Sequence, residues 1–409
     1  PCSQDNRRQE GHFPTDFCFI WLDEMSGATG FEQKYCLNIP TTSSSQLERN
    51  PMKNRVYVCH TYYHVYVACL KELNLPVSER KKADLILSTM SNDFGDLITR
   101  AENCGLFENV YMFDEKEDIT FPEVMKYHKN HGNLILNLIS RMKYTKLLGK
   151  MQKDFVPVNF KDYKDIYVFC DSDPIGYYLS YKKIPYHALE DGLDCISTYD
   201  TARYDNRGHF KLKAFLASLN LIFIQNGWAK YCIDMEVNNI SILPYPCPKY
   251  IEKPRSELVD GLDEDAKDLL IHLFIADMDE INQKLRSNKE KNKILLLTEP
   301  LCSLDVREKI FRDCIEQFGT IPGEESVIMI KPHPRDILNY HDIFSEYIIL
   351  DSKFPMEVLN FIPDLMFRRV ISVFTVVHSI KFAKEIVYLG EDFMDNYEPP
   401  EMHRQNEAI

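Results

Sequence analysis

From Arg55 onward, short runs of β-branched or aromatic residues alternate with stretches of helical period, and that alternation restricts the fold more than any other feature of the chain. Strands joined through helices pair in parallel, so the pattern builds sheets covered by helices on both faces. Strands are predicted at 56–59, 83–88, 109–113, 165–170 and 185–189. Helices are predicted at 62–73, 96–103, about 122–151 and 175–181, which completes one Rossmann-like domain. A proline-bearing stretch at 243–254 and a helix to about residue 286 precede a second series. There, strands are predicted at 293–298, 326–331, 347–350 and 370–373, and helices at 306–318 and 356–361. The fold class read from the pattern is therefore α/β, with two Rossmann-like domains.

A chain of 409 residues is long enough for two such cores. The expected boundaries are an N-terminal extension or mobile arm at 1–51, a first domain at 52–245 and a second at 246–409. The segment 286–293, with four Lys or Arg and one Glu, reads as a solvated linker. A formal net charge of -14 disfavours a nucleic-acid binder, which needs a basic surface to displace phosphate counterions. The 12 cysteines show no zinc-ligand spacing and read as reduced thiols of a cytoplasmic protein. No run approaches the roughly 20 apolar residues that cross a membrane. The longest, 214–224, reads as a buried helix, and no basic region followed by an apolar run marks a secretory signal.

Lys331-Pro332-His333-Pro334-Arg335-Asp336 follows an apolar strand directly. Ligands of open α/β sheets gather beyond the carboxyl ends of strands, so this loop aims its side chains at a crevice. Pro332 and Pro334 restrict the backbone around His333. An imidazole there can donate to a departing phosphate, and Lys331 and Arg335 could add charge against the same anion. The plainer alternative is a rigid turn with a surface histidine.

Glu190-Asp191-Gly192 stands at the end of another strand, where one carboxylate could take a proton from a sugar hydroxyl while Gly192 lets the acceptor approach. An acidic pair before glycine is also a common turn. Ser372-Val373-Phe374-Thr375, with Ser379 one helical turn on, would form a phosphate cradle if a helix starts there; otherwise Thr375 is an ordinary cap. His60 and Tyr63, with Tyr62 and His64, either line an acceptor pocket or start a helix whose aromatic face packs inward. Asp171-Ser172-Asp173 resembles a metal-binding Asp-x-Asp motif, but Pro174 marks a helix start with Asp173 as its cap, so no metal site is assigned. His128 and His131 read as a solvated helix face.

The acidic pair with glycine, the His-Pro motif and the Ser/Thr motif, in that order, resemble those of bacterial sialyltransferases, and the resemblance is to glycosyltransferase family 52, typified by lipooligosaccharide sialyltransferases. It covers most of residues 54–390, including Val56-Tyr57-Val58-Cys59-His60-Thr61-Tyr62-Tyr63 and Leu296-Leu297-Thr298-Glu299-Pro300-Leu301. The resemblance implies two domains facing a cleft (GT-B type) and an inverting, metal-independent transfer of sialic acid from CMP-sialic acid to a glycan hydroxyl, with no cofactor. It implies that His333 helps CMP leave and that Ser372 and Thr375 hold the phosphate. The base would be Asp191 or Glu190, or Glu299 or Asp305 in the loop after the first strand of the second domain. Val376 and Val377 depart from the family's serine-rich third motif. A lipooligosaccharide or capsular acceptor, peripheral association with the inner face of a membrane, and a homodimer are compatible with this reading. Its rivals are a CDP-glycerol glycerophosphotransferase or similar GT-B transferase, and a non-catalytic polysaccharide-assembly protein.

Overall fold

A computed structural model describes residues 53–400, apart from 170, 193–195, 197–205, 207, 244, 287, 289, 290 and 376. The extension expected at 1–51 lies outside the described residues. Seven parallel strands form the first sheet: β1 (Lys53–Cys59), β2 (Ala83–Ser88), β3 (Asn109–Phe113), β4 (Tyr163–Phe169), β5 (Tyr186–Leu189), β6 (Cys232–Val237) and β7 (Tyr250–Glu252). Their order is β3-β2-β1-β4-β5-β6-β7. The second sheet holds β8 (Asn292–Leu297), β9 (Ser326–Lys331), β10 (Ile348–Ile349), β11 (Arg369–Ser372) and β12 (Ile386–Tyr388), in the order β10-β9-β8-β11-β12 and again parallel. Each order reverses once, between β1 and β4 and between β8 and β11. In open α/β sheets ligands bind at such switch points, beyond the strand carboxyl ends.

Three strands escaped the sequence reading. β6, β7 and β12 are short or half exposed and lack the continuous apolar run that marks a strand buried on both faces. Because β7 closes the first sheet at Glu252, that sheet runs past the boundary expected at 245. Helix α1 (Tyr62–Leu73) starts where Thr61 Oγ1 accepts the His64 amide, and it buries ten of its twelve residues. Helix α2 spans Leu97–Asn103. The single helical region expected at 122–151 is interrupted: one turn at Pro122–Met125 is followed by α3 (Leu134–Met151), which begins afresh at its cap Asn133. Gly132, with φ of 65°, makes that break, so His128 and His131 lie in an exposed loop, not on a helix.

Helix α4 (Pro174–Lys182) crosses α3 closely, with Gly149 admitting the partner backbone: a Cβ there would stand 2.3 Å from the Tyr177 carbonyl oxygen. Helix α5 covers Phe210–Ser218 and stops at Asn220, whose φ is 60°. The run 214–224 is therefore not one buried helix: within α5 only Ala217 is buried, while Ile222, Phe223 and Ile224 are buried beyond its end.

Helix α6 (Glu264–Phe274) packs on α1 and α2 and also on the 3-10 segment Met356–Phe361 of the second half. One apolar cluster accordingly runs from Val65 and Tyr66 through Leu270 and Phe274 to Val358 and Phe361. Tyr66 meets Phe361 at a ring separation of 6.3 Å. Helix α7 (Leu304–Phe318) buries Ile310, Phe311 and Ile315 against the second sheet. The seven cysteines among the described residues are unbonded thiols. Among those residues, no helix is long and apolar enough to cross a membrane.

Candidate active site

The carboxyl edge of the first sheet carries two histidines with opposite environments. His64, in the first turn of α1, accepts the backbone N–H of His60 on Nδ1 at 2.9 Å, which leaves the ring proton on Nε2. That Nε2–H donates to Asp191 Oδ1, and the ring stacks on Phe169 at 4.3 Å. Burial lowers the pKa of His64 against the pull of Asp191, and the charges of His60 and Arg335 lower it further. His64 is therefore a neutral, fixed donor to a carboxylate whose side chain is 37% exposed.

His60 lies beneath this pair and is only 1% exposed. Its Nε2 stands 2.8 Å from Glu115 Oε2 and 3.4 Å from Asp173 Oδ2. Burial disfavours its charge, yet the Glu115 and Asp173 carboxylates prevail and raise its pKa to about 9. Glu115 also accepts from Ser88 Oγ at 2.7 Å and from the Ile175 amide at 2.6 Å, so this buried ion pair ties together the loops beyond β1, β2 and β3 and the start of α4. The acceptor-pocket role expected of His60 is corrected by that burial. Tyr63 is half-buried against the shared apolar cluster.

Glu190 is likewise engaged inside the protein: its two oxygens accept from the backbone and side-chain nitrogens of Asn238 at 2.6 and 2.9 Å. Asp191 is thus the carboxylate of the pair that faces outward. Gly192 has no left-handed backbone angle, and a Cβ there would meet open space, so it leaves the approach clear but is not needed for a sharp turn. Asp171 accepts from Tyr186 Oη at 2.9 Å and from the Asn226 amide at 2.8 Å; burial raises its pKa to about 6. Asp173 turns the other way, toward His60, at the head of α4 with Pro174 in the first helical position.

On the second sheet, His333 accepts the Arg335 amide on Nδ1 at 3.1 Å, so its proton too is on Nε2. That Nε2–H has no partner among the described residues. Burial, with help from Arg335 and Lys331, lowers the His333 pKa to about 4, and the ring is neutral at neutral pH. The His333 amide donates to Thr298 Oγ1 at 3.3 Å. Arg307 holds the whole loop: it donates to Asp336 at 2.5 Å and to the carbonyls of Leu301 and Cys302 at 2.6 and 2.9 Å. Tyr340 Oη completes the hold on Asp336 at 2.7 Å.

Lys331 does not face the crevice. Strand alternation sends it to the face of Met329, where it is 4% exposed, donates to the carbonyls of Pro332 and Ser352 and lies 4.3 Å from the Phe354 ring centroid. Burial brings its pKa down to about 7. Pro334 is half-buried and Arg335 exposed.

The Ser/Thr motif also differs from expectation. Residues 373–375 form a bend and 378–379 a turn, so no helix begins at Thr375 and the exposed Ser379 is not one helical turn on. Glu299 occupies the cradle instead: its Oε1 accepts from the amides of Phe374 and Thr375 at 2.9 and 2.5 Å and from Thr375 Oγ1 at 2.6 Å. Burial raises the Glu299 pKa, with the Thr375, Phe374 and Ser372 donors opposing it. Ser372, fully buried, donates to the Thr375 carbonyl at 3.1 Å. Asp305 is exposed in the first turn of α7 and accepts from Ser303 Oγ at 2.6 Å, a helix-terminal arrangement remote in kind from a buried base.

Arg307 and Glu115 were not singled out in the sequence, nor was the pairing of His64 with Asp191. Arg307 alone left a signal, since a cation in the first turns of a helix opposes the helix dipole and asks for a specific partner.

A family model for glycosyltransferase family 52 matches residues 108–387. An uncharacterised protein of Haemophilus influenzae (strain ATCC 51907 / DSM 11121 / KW20 / Rd) is 33% identical over 98 residues, 23% of this chain; the match spans 30% of that relative's length. Among solved structures, an α/β-galactoside α-2,3-sialyltransferase of Photobacterium phosphoreum aligns with a TM-score of 0.47 at 13% identity, covering 81% of this chain and 90% of the other. A 2,6-sialyltransferase of Photobacterium sp. JT-ISH-224, solved with CMP and lactose, aligns with a TM-score of 0.49 at 12% identity, covering 82% and 71%.

Proposed function

Because the chain belongs to glycosyltransferase family 52, we propose that it is an inverting sialyltransferase moving sialic acid from CMP-sialic acid to a hydroxyl of a lipooligosaccharide or capsular glycan, without metal or cofactor. The observation that carries the reading is the neutral His333, with an unengaged Nε2–H at the carboxyl edge of the second sheet. On the carboxyl edge of the first sheet, Asp191 is held outward by His64, whose pKa the Arg335 charge of the His333 loop helps to lower.

Asp191 takes the proton of the acceptor hydroxyl as its oxygen attacks the anomeric carbon. The bond from that carbon to the phosphate oxygen breaks with its electron pair on CMP. His333 Nε2–H hydrogen-bonds the oxygen as charge develops there, and an anionic phosphate beside the ring would raise the histidine's pKa and favour proton donation. Arg335, at the rim of the same loop, adds positive charge.

The test measures release of CMP from CMP-sialic acid, alongside CDP-glycerol and UDP-sugars as competing donors, in the wild type and in His333→Ala. Turnover of CMP-sialic acid alone, lost in the variant while the thermal midpoint is kept, supports the reading. Preference for CDP-glycerol or a UDP-sugar, or a His333→Ala variant that turns over normally, would refute it.

A further inference from the structure

Arg255 is a buried cation at the carboxyl edge of the first sheet. It is 8% exposed and opens the short helix Arg255–Asp260, just beyond β7. Its amide donates to Asn238 Oδ1 at 2.9 Å, and Asn238, directly after β6, donates in turn to both carboxylate oxygens of Glu190, directly after β5. Three neighbouring strand ends are thereby tied together around the guanidinium. Its Nη2 reaches the Glu190 carbonyl oxygen at 3.4 Å, so the charge lies against the peptide group that leads into Asp191.

This guanidinium lacks a counter-charge. Nη1 and Nη2 make only long contacts, 3.5 Å to the Lys253 carbonyl and 3.4 Å to that of Glu190, and Nε has no acceptor. Among the described residues Arg255 forms no ion pair. The carboxylates around it are engaged elsewhere: Glu190 with Asn238, and Glu236 with Lys71 at 2.6 Å and Lys253 at 2.7 Å. Burial lowers the Lys71 pKa against the pull of Glu236, and the charges of Lys253 and Arg255 lower it further, so Arg255 meets like charge as well. A buried charge without a partner is strongly destabilising, and its persistence asks for a ligand that completes the pair.

Tyr63 supplies a second donor. It is half-buried in the first turn of α1, beside His64, and its phenol makes no hydrogen bond among the described residues. Burial raises its pKa, Glu357, Glu190 and Asp191 add to the rise and Arg255 opposes it, so the hydroxyl keeps its proton within reach of the Arg255 and Asp191 charges.

We propose that Arg255, together with the Tyr63 hydroxyl, binds the carboxylate of the sugar being transferred. This rests on the sialic acid reading above and deepens it. In sialic acid the carboxylate is carried by the anomeric carbon itself, the atom that the acceptor oxygen attacks as Asp191 takes its proton. A receptor for that carboxylate therefore belongs beside Asp191 on the first sheet, whereas the leaving phosphate belongs beside His333 on the second. A planar guanidinium matches a carboxylate through two parallel hydrogen bonds, which fixes the orientation of the anomeric carbon. A sugar with hydrogen at that position leaves the buried charge unpaired, so the same residue selects the donor.

The test is calorimetric titration of the full chain with CMP and with a CMP-sialic acid fluorinated beside the anomeric carbon, where the fluorine withdraws electrons and blocks transfer. Arg255→Gln should weaken binding of the analogue roughly 10- to 100-fold and leave CMP binding unchanged. Its thermal midpoint should hold or rise, because the buried charge is gone while the backbone amide still donates to Asn238. Arg255→Lys keeps the charge without the fork and should recover only part of the affinity, and Tyr63→Phe should lose about five-fold. Wild type binding both ligands, with Arg255→Gln binding both as tightly, overturns this inference alone. So does an equal loss of both ligands, which would put Arg255 on the phosphate, or a fall in the Arg255→Gln midpoint, which would make the residue structural. A wild type that binds neither ligand refutes the donor reading and this inference together.

Discussion

Replacing Asp191 by Asn separates its charge from its geometry. Asn Oδ1 can accept the same Nε2–H of His64, whose ring stays fixed by the His60 amide on Nδ1 and by Phe169 beneath it. The variant loses only the difference between a charge-assisted and a neutral hydrogen bond, about 1 kcal/mol or less, because the carboxylate is 37% exposed and partly solvated. Removal of a general base costs roughly 100- to 10,000-fold in rate, about 3 to 5 kcal/mol of barrier. Turnover should thus fall far more than stability. The assay is CMP release at saturating CMP-sialic acid with a glycan acceptor, run beside Glu299→Gln and a thermal melt of each variant. His64→Phe supplies a second readout: it keeps a ring on Phe169 but removes the N–H that favours the Asp191 carboxylate, so the acid limb of the rate profile should move to higher pH. Retention of Asp191→Asn turnover within ten-fold of wild type, with a drop beyond 100-fold in Glu299→Gln, would refute the assignment and transfer the base to the second sheet.

Other outcomes follow from the same geometry. The pKa of His60 rises from 6.5 to about 9 on folding, so its ion pair stabilises fully below pH 6.5 and that stability is lost as pH passes 9, about 3 kcal/mol in all; His60→Asn should flatten the fall in denaturation midpoint between pH 6.5 and 9. Gly176→Ala would put a Cβ 1.9 Å from the Asp171 carbonyl oxygen and should cost on the order of 3 kcal/mol, read as a lower urea midpoint. Arg307→Ala should leave the buried Asp336 carboxylate unpaired, lowering stability by about 3 to 5 kcal/mol, with Arg307→Lys restoring only part because one ammonium cannot span Asp336 and two carbonyls.

The helix at Tyr62–Leu73 and the strands at Ala83–Ser88, Asn109–Phe113 and Ser326–Lys331 were legible because local apolar period and strand propensity agree there with the tertiary environment. The position of His333 was legible for the same reason, since a polar loop directly after a buried parallel strand must lie at the carboxyl edge. The orientation of Lys331 was not: it depends on what packs against each face of the second sheet, and the adjacent Phe354 comes from a different segment.

Two parallel α/β units and membership in a glycosyltransferase family were readable from the residue pattern alone. How each of the four candidate carboxylates is engaged was set by tertiary packing. Glu190 is taken by Asn238, Glu299 by the Phe374 and Thr375 amides, and Asp305 lies exposed at a helix start; Asp191 is presented by a histidine 127 residues away. Each of the buried engagements joins separate strand ends, and contacts between strand ends are set by sheet order, which local residue pattern does not encode.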